Sequence, residues 1–455
     1  MFYRKIEKKI LEHLQSDTDK ILLVDGARQV GKSFIIRHIG QTHYKYYVEI
    51  NMIEDKDGVG IFSGITTVEE FYMQLSIAAG GMLGNRADTL VFLDEIQAYP
   101  NLLTLLKFLR ADGKYTYIAS GSSLGVALKK TVSIPMGSIA QLHMYPMDFE
   151  EFLIANQTPD IIISSMREHF EKRDSLPESI HLKILQLFRY YLLSGGLPDA
   201  VRIFIEERNI PRMRQLQLET HEYYAIDASQ YDAENSLKIR AVYDTIPSNM
   251  ENKKKRVIVK AIENKKGSTF DSYREEFEYL ISSGIALDVK AVPTPVFPLT
   301  QGMEKNLLKL YINDPGILTA LLYGTNINAI LNDELSINLG SVYESVVASE
   351  LKAHGFSLYY YDNRKKGEVD FLIDDYENLS VLPIEVKSGK DYSTHASLDR
   401  FISNQDYSVK KAYVFSNSRE IKTEGNITYY PVYMCMFLDS QMPTDQRDAI
   451  KPVVW

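Results

Sequence analysis

The residues Gly26-Ala27-Arg28-Gln29-Val30-Gly31-Lys32-Ser33 read G-x-x-x-x-G-K-S, with an apolar strand pattern before them and a helical pattern after. Two glycines let a backbone curl until successive N–H groups line a concave anion site. A helix that starts there adds the positive end of its dipole. Lys32 is then placed for the β- and γ-phosphates of a nucleotide, and the Ser33 hydroxyl for Mg²⁺. The nucleotide-contacting set expected from this pattern is Gly26, Ala27, Arg28, Gln29, Val30, Gly31, Lys32, Ser33 and Phe34. About 60 residues on, Leu90-Val91-Phe92-Leu93-Asp94-Glu95 is an apolar strand ending in two carboxylates. Asp94 suits a residue that holds Mg²⁺ through its water shell, and Glu95 a general base for the attacking water. A third strand, Tyr115–Ser120, runs into Gly121-Ser122-Ser123. Ser120 or Ser122 is a candidate for the γ-phosphate or the water; the competing reading is an ordinary Gly/Ser turn between strand and helix.

A second set of chemical residues lies in the last third. Glu344 falls in a helical stretch, Glu368-Val369-Asp370 opens a strand, and Glu385-Val386-Lys387 closes the next. Side chains alternate along a strand, so Glu385 and Lys387 share a face. Asp370 and Glu385 on neighbouring strands can share one divalent cation, Mg²⁺ or Mn²⁺. Lys387 beside it can orient water or stabilise charge on a phosphate. The competing reading is a cross-strand salt bridge. His354 and His395 lie nearest this set without metal-ligand spacing to another histidine and are read as structural.

The elements that must position these groups follow from pattern. Strands are expected at Ile21–Asp25, Tyr44–Asn51, Thr89–Glu95, Tyr115–Ser120 and Gln141–Tyr145. Helices are expected at Lys32–Ile39, Thr67–Gly80, Leu102–Arg110 and Ser123–Lys129. That alternation predicts a parallel sheet covered on both faces, with ligands beyond the C-terminal strand ends. Residues 147–235 read as helices broken at Pro159, Pro177, Gly195-Gly196, Pro198 and Pro211. Helices at Ser236–Tyr243 and Thr269–Ile281, then a β-prone Ile285–Val292, outline a winged helix. The last third returns to α/β, with a helix at Ser341–Ala353 and strands at Leu358–Asp362, Val369–Ile373, Val381–Lys387, Lys411–Phe415 and Ile427–Val432. The domain boundaries expected are 1–146, 147–235, 236–330 and 331–455.

Composition narrows the classes. The 455 residues are 45% hydrophobic and 24% charged, as in globular proteins, and Cys435 is the only cysteine, which excludes an intrachain disulfide and a C-x-x-C zinc site. No apolar run reaches the roughly 18 residues that span a bilayer, and the start lacks a signal-peptide core. The expectation is a cytoplasmic protein with no membrane partner. Residues 1–150 carry 16 basic against 17 acidic residues, and 331–455 carry 13 against 19. No large segment is basic, so binding to DNA would use local patches such as Arg364-Lys365-Lys366, Lys410-Lys411 or the run Lys253, Lys254, Lys255, Arg256, Lys260, Lys265 and Lys266.

In these motifs the chain resembles the AAA-type branch of P-loop ATPases. More narrowly, it resembles bacterial and archaeal ATPases whose C-terminal half is a domain of unknown function ending in a restriction-endonuclease-like module. The segments that carry this are Gly26–Ser33, Phe92–Gln97, Ala119–Ser123, Tyr145–Leu153, Ser194–Pro198 and Asp314–Leu318. The order E…D…E-x-K is similar to PD-(D/E)-x-K nucleases, with Val369 where that pattern has proline. The resemblance implies that Asp370 and Glu385 are metal ligands, Lys387 a catalytic lysine and Glu344 an accessory acid. It also implies an arginine finger, for which Arg28, Arg86 and Arg110 are candidates; a homo-oligomer or protein partner would otherwise supply it. The expected function is Mg²⁺-dependent ATP binding and hydrolysis, with nucleotide state controlling the orientation of a nuclease-like C-terminal half that acts on DNA. Two alternatives stand beside it. One is a metal-dependent nuclease licensed by ATP. The other is a non-enzymatic switch or scaffold whose degenerate nuclease fold binds a protein partner.

Overall fold

The computed structural model describes residues 2–122, 124, 137–231, 236–252, 255–262, 269–331, 339–363, 366–389 and 392–440. The expected helix Ser123–Lys129 falls, but for Leu124, outside the described residues. So do Lys253, Lys254, Lys265, Lys266, Arg364 and Lys365.

Five strands build the first sheet: β1 (Ile21–Asp25), β2 (Tyr46–Asn51), β3 (Thr89–Asp94), β4 (Thr116–Gly121) and β5 (Ile139–His143). Their order is β2-β3-β4-β1-β5 and every neighbouring pair is parallel. Alternation along β1 decides what covers each face. Leu22 and Val24 join Ile6, Ile10, Ile35, Ile36 and Ile39 from the Lys5–Gln15 and Lys32–His43 helices. Ile21 and Leu23 join Leu102, Leu103, Leu106 and Leu109 of the Pro100–Asp112 helix. The sheet is thus buried on both faces, as expected. Because β4 lies between β1 and β3, the loops after β1, β3 and β4 open side by side at one edge.

Helices Phe149–Ala155, Asp160–Lys172, Glu178–Ser194 and Ile210–Tyr231 follow. The remaining strands form one eight-stranded sheet: β6 (Ala286–Ala291), β7 (Glu304–Ile312), β8 (Tyr359–Asn363), β9 (Gly367–Asp375), β10 (Ser380–Lys387), β11 (Ala412–Ser416), β12 (Lys422–Glu424) and β13 (Ile427–Pro431). Its order is β12-β13-β11-β10-β9-β8-β6-β7. The β-prone stretch that outlined a wing, here β6, is therefore not free-standing. β6 pairs antiparallel with β7 and parallel with β8, so residues on either side of position 330 share a sheet. The Gly340–Ala353 helix lies against this sheet through Val342, Val346 and Leu351, which sit in one apolar core with Phe371 and Ile384.

Candidate nucleotide site

The loop after β1 bends where its sequence lets it. Gly26 has φ +137°, and a β-carbon there would come 2.2 Å from the Met144 carbonyl oxygen of the strand-end neighbour. Gly31, at φ +99°, caps the Lys32–His43 helix, whose first turn contains no acidic residue to oppose an anion. Lys32 is buried and its ammonium donates to the carbonyls of Gly26 and Ala27, both at 2.8 Å. Burial pulls its pKa down from the ordinary lysine value, while the Glu95 and Asp94 carboxylates push the other way.

The acid edge is one strand from β4 and two from β1. Ser33 Oγ donates to Asp94 Oδ2 at 2.7 Å, and Ser120 Oγ, from the end of β4, donates to Asp94 Oδ1. Asp94 is therefore gripped by a hydroxyl from the phosphate loop and one from the neighbouring strand. Glu95 has a left-handed backbone, φ 52° and ψ 44°, uncommon outside glycine. This turn sends its carboxylate toward Gln97, whose side-chain amide donates to it, and toward the Ser122 hydroxyl at 3.4 Å. Both serines named from sequence thus touch an acid, Ser120 on Asp94 and Ser122 on Glu95. Gln97 Oε1 is buried without a hydrogen-bond partner beside this edge.

The Ile210–Tyr231 helix closes over the loop. Thr220 donates to Gln29 Oε1 and Tyr224 to the Arg28 carbonyl, each at 2.8 Å. Arg28 pairs with Asp227 at 2.7 Å. A cleft of ≈ 630 Å³ runs between them, lined by Gly31, Lys32, Ser33, Phe34 and Glu95 on one side and Tyr223 and Ile226 on the other. From behind, buried Arg4 donates to Val30 O and Tyr145 O at 2.7 Å and to Glu151 Oε2 at 3.0 Å. Arg4 was not named from sequence, and no local motif marks it. Of the arginine-finger candidates, Arg28 alone is at this edge. Arg110 binds Asp19 and the Gly137 carbonyl, and the Arg86 carbonyl accepts from Thr116, all at the N-terminal strand ends.

The structure also brings Glu344, Asp370, Glu385 and Lys387 together, with groups the sequence did not assign to them. Lys255 Nζ binds Glu344 Oε1, and Tyr311 donates to Glu344 Oε2 at 3.3 Å. Asp370 Oδ2 accepts from Val386 N at 2.8 Å, and Lys387 Nζ meets Glu385 Oε1 at 2.8 Å. Buried Lys309 lies 2.5 Å from Glu368. Burial, then the Asp370 carboxylate, pushes Glu385 up to about 8, and the same two causes raise Glu344. Glu344, Glu368 and Glu385 are each held by an ammonium group and Asp370 by a backbone N–H, while Glu385 Oε2 is buried without a hydrogen-bond partner. Among the described residues, Asp148, Glu350 and His354 form the only group of three or more such side chains with ligand atoms mutually within 4.8 Å.

Several motifs behind the resemblance turn out to be joints. Asp314 accepts from Gly196 N at 2.6 Å and from Ile317 N at 3.0 Å, which ties Ser194–Pro198 to the Pro315–Tyr323 helix. Burial raises Asp314 to about 6. Asp148 and Glu151 form a capping box on the Phe149–Ala155 helix.

Residues 18–153 match the family model of an AAA domain. Residues 339–435 match a domain of unknown function (DUF4143), and residues 185–328 another (DUF8612). The first third therefore has the AAA-type P-loop ATPase fold, and a second sheet domain follows it. No curated protein matches this chain. Among solved structures, the chain is similar to the Walker-type ATPase PABY2304 of Pyrococcus abyssi, at 17% identity over 71% of this chain and 96% of that one, with a TM-score of 0.42. It is also similar to the Aeropyrum pernix ORC1 protein, solved in complex with DNA (12%, 73% and 93%, TM-score 0.30), and to Cdc6p from Pyrobaculum aerophilum (13%, 72% and 93%, TM-score 0.26). These likenesses are distant. No helix among the described residues is long and apolar enough to cross a membrane.

Proposed function

We propose that this chain binds ATP with Mg²⁺ and hydrolyses it. The observation that carries the reading is the convergence of Ser33 and Ser120 on Asp94 beside a glycine-bent loop at a helix N-terminus. Lys32 exchanges its two loop carbonyls for phosphate oxygens, and the loop N–H groups hold the rest of the anion. Ser33 and Asp94 are the residues that would hold Mg²⁺, a hard cation suited to hydroxyl and carboxylate oxygens. The ion, when bound, neutralises charge on the β- and γ-oxygens. Glu95, oriented by Gln97, takes the proton of the attacking water as its oxygen bonds to the γ-phosphorus and ADP departs. Phosphate release by the wild type and by Glu95→Gln tests this: the variant should bind ATP and release phosphate roughly 10²–10⁴-fold more slowly. Equal rates would defeat the hydrolase assignment.

For the last third, the pairing of Glu344 with Lys255 and Glu385 with Lys387 favours a nuclease-like fold that binds a protein partner without cutting, beside an active ATPase. Each of these two carboxylates already has an ammonium partner. Supercoiled plasmid should stay intact with Mg²⁺ or Mn²⁺. Nicking that Asp370→Asn abolishes would restore the nuclease reading.

A further inference from the structure

A second constellation lies where the first and last thirds meet. Asp148 is the N-cap of the Phe149–Ala155 helix, and Glu350 and His354 are four residues apart at the end of the Gly340–Ala353 helix. Each has one polar atom anchored and one aimed at a common point. His354 Nδ1 is 2.6 Å from Leu438 O, and since a carbonyl only accepts, Nδ1 carries the proton. That leaves Nε2 facing Asp148 Oδ2 at 3.3 Å and Glu350 Oε2 at 3.9 Å. Asp148 Oδ1 accepts from Glu151 N at 2.9 Å, and Glu350 Oε1 from Phe149 N at 2.7 Å. Glu350 is fully buried, and its Oε2 has no hydrogen-bond partner. Backbone anchoring of the far atom of each ligand is how proteins orient metal-binding side chains.

The spacing fits as well. Bonds of about 2.0–2.2 Å in a tetrahedral zinc site put ligand atoms roughly 3.3–3.6 Å apart. One edge already has that length, and the 3.9 Å edge closes with a small side-chain shift. Lys5 Nζ lies 2.7 Å from Asp148 Oδ2 and 2.6 Å from Glu150 Oε2, so it can stay on Glu150 when Asp148 turns to an ion. A cavity of ≈ 390 Å³, lined by Lys5, Asp148 and His354, leads to the site.

We propose that Asp148, Glu350 and His354 bind one divalent first-row cation of the zinc type, clasping the AAA core to the last third. Two carboxylates and an imidazole suit such an ion. This does not rest on the ATPase reading. The test uses the full chain stripped with chelator and titrated with Zn²⁺ by calorimetry. One ion per chain should bind with a Kd in the micromolar range or below, and binding should persist in Lys32→Ala and Asp370→Asn. Affinity should fall at least tenfold in His354→Ala and in Glu350→Gln, whose amide oxygen still accepts from Phe149 N and so preserves the helix cap. Zn²⁺ should raise the Tm of the wild type and not that of Glu350→Gln. Absence of binding, or equal binding by both variants, would overturn the proposal, as would loss of the ion in Asp370→Asn.

Discussion

Arg28 and Asp227 meet at 2.7 Å across the mouth of the phosphate cleft, one from the loop and the other from the helix that covers it. Both side chains are partly exposed, so the pair adds at most about 1 kcal/mol to stability. Its consequence is for the ligand: while Asp227 holds the guanidinium, Arg28 is unavailable to phosphate.

Asp227→Asn should therefore tighten ATP binding several-fold, since it frees a cation and removes an anion beside the site. Tm should change little. Calorimetric titration with ATP and ADP measures both affinities, and weaker ATP binding in this variant would show that the ion pair supports the loop rather than restrains it.

Ser120→Ala removes the hydroxyl that reaches Asp94 from β4. A hydrogen bond to a charged group is worth about 1.5–3 kcal/mol. The expected outcome is a fall of about tenfold or more in kcat, because Asp94 loses one of its two orienting hydroxyls. Steady-state phosphate release over a Mg²⁺ series checks it, and the variant should need more Mg²⁺ for half-maximal rate.

Arg4→Ala leaves Glu151 buried without its cation and strips donors from Val30 O and Tyr145 O. Breaking a buried pair this way costs about 3–5 kcal/mol. Thermal unfolding should show a Tm lower by several degrees, and ATP affinity should drop with it because the loop loses its brace. Arg4→Lys should rescue little, since one ammonium cannot reproduce the three-way fork.

The first sheet was legible because its signals are local. Alternation fixes the faces of β1, and the glycines of the phosphate loop sit where only glycine bends freely. Asp94, Glu95 and Ser120 were legible for the same reason: each lies at or beside the end of a strand. What stayed hidden depends on long-range contact. Arg4 is 26 residues from Val30 and 147 from Glu151, with nothing in its neighbourhood to distinguish it from a surface arginine. Lys255 read as one of a basic run and turns out to neutralise Glu344, 89 residues away. β7 escaped notice because its charged and polar residues, from Glu304 to Asn306, mask the apolar stretch after them. The merging of β6 and β7 into the last sheet depends on β8, more than 60 residues beyond β6, which no windowed pattern reaches. His354 read as structural because its companions come from a helix turn and from a cap 206 residues earlier.

Glu385 supplies a pH-dependent check on the carboxylate cluster. Its carboxyl is raised to about 8 in the fold from an ordinary 4.5, chiefly by burial and then by Asp370. An acid whose folded pKa is raised binds its proton more tightly in the native state, so stability is lost as pH climbs from the unfolded value to the folded one. Below about pH 4.5 both states are protonated and Glu385 contributes no penalty. By pH 8 the native state carries a buried charge or keeps a proton that the unfolded chain has released. Glu385→Gln replaces the titrating group with a neutral one of nearly the same shape. The variant should match the wild type near pH 4.5 and exceed it by several degrees in Tm at pH 8, with the gap opening steadily between. Denaturation followed across that range measures the gap. A variant less stable than wild type at pH 8 would mean that the ion pair with Lys387 outweighs the cost of burying the charge.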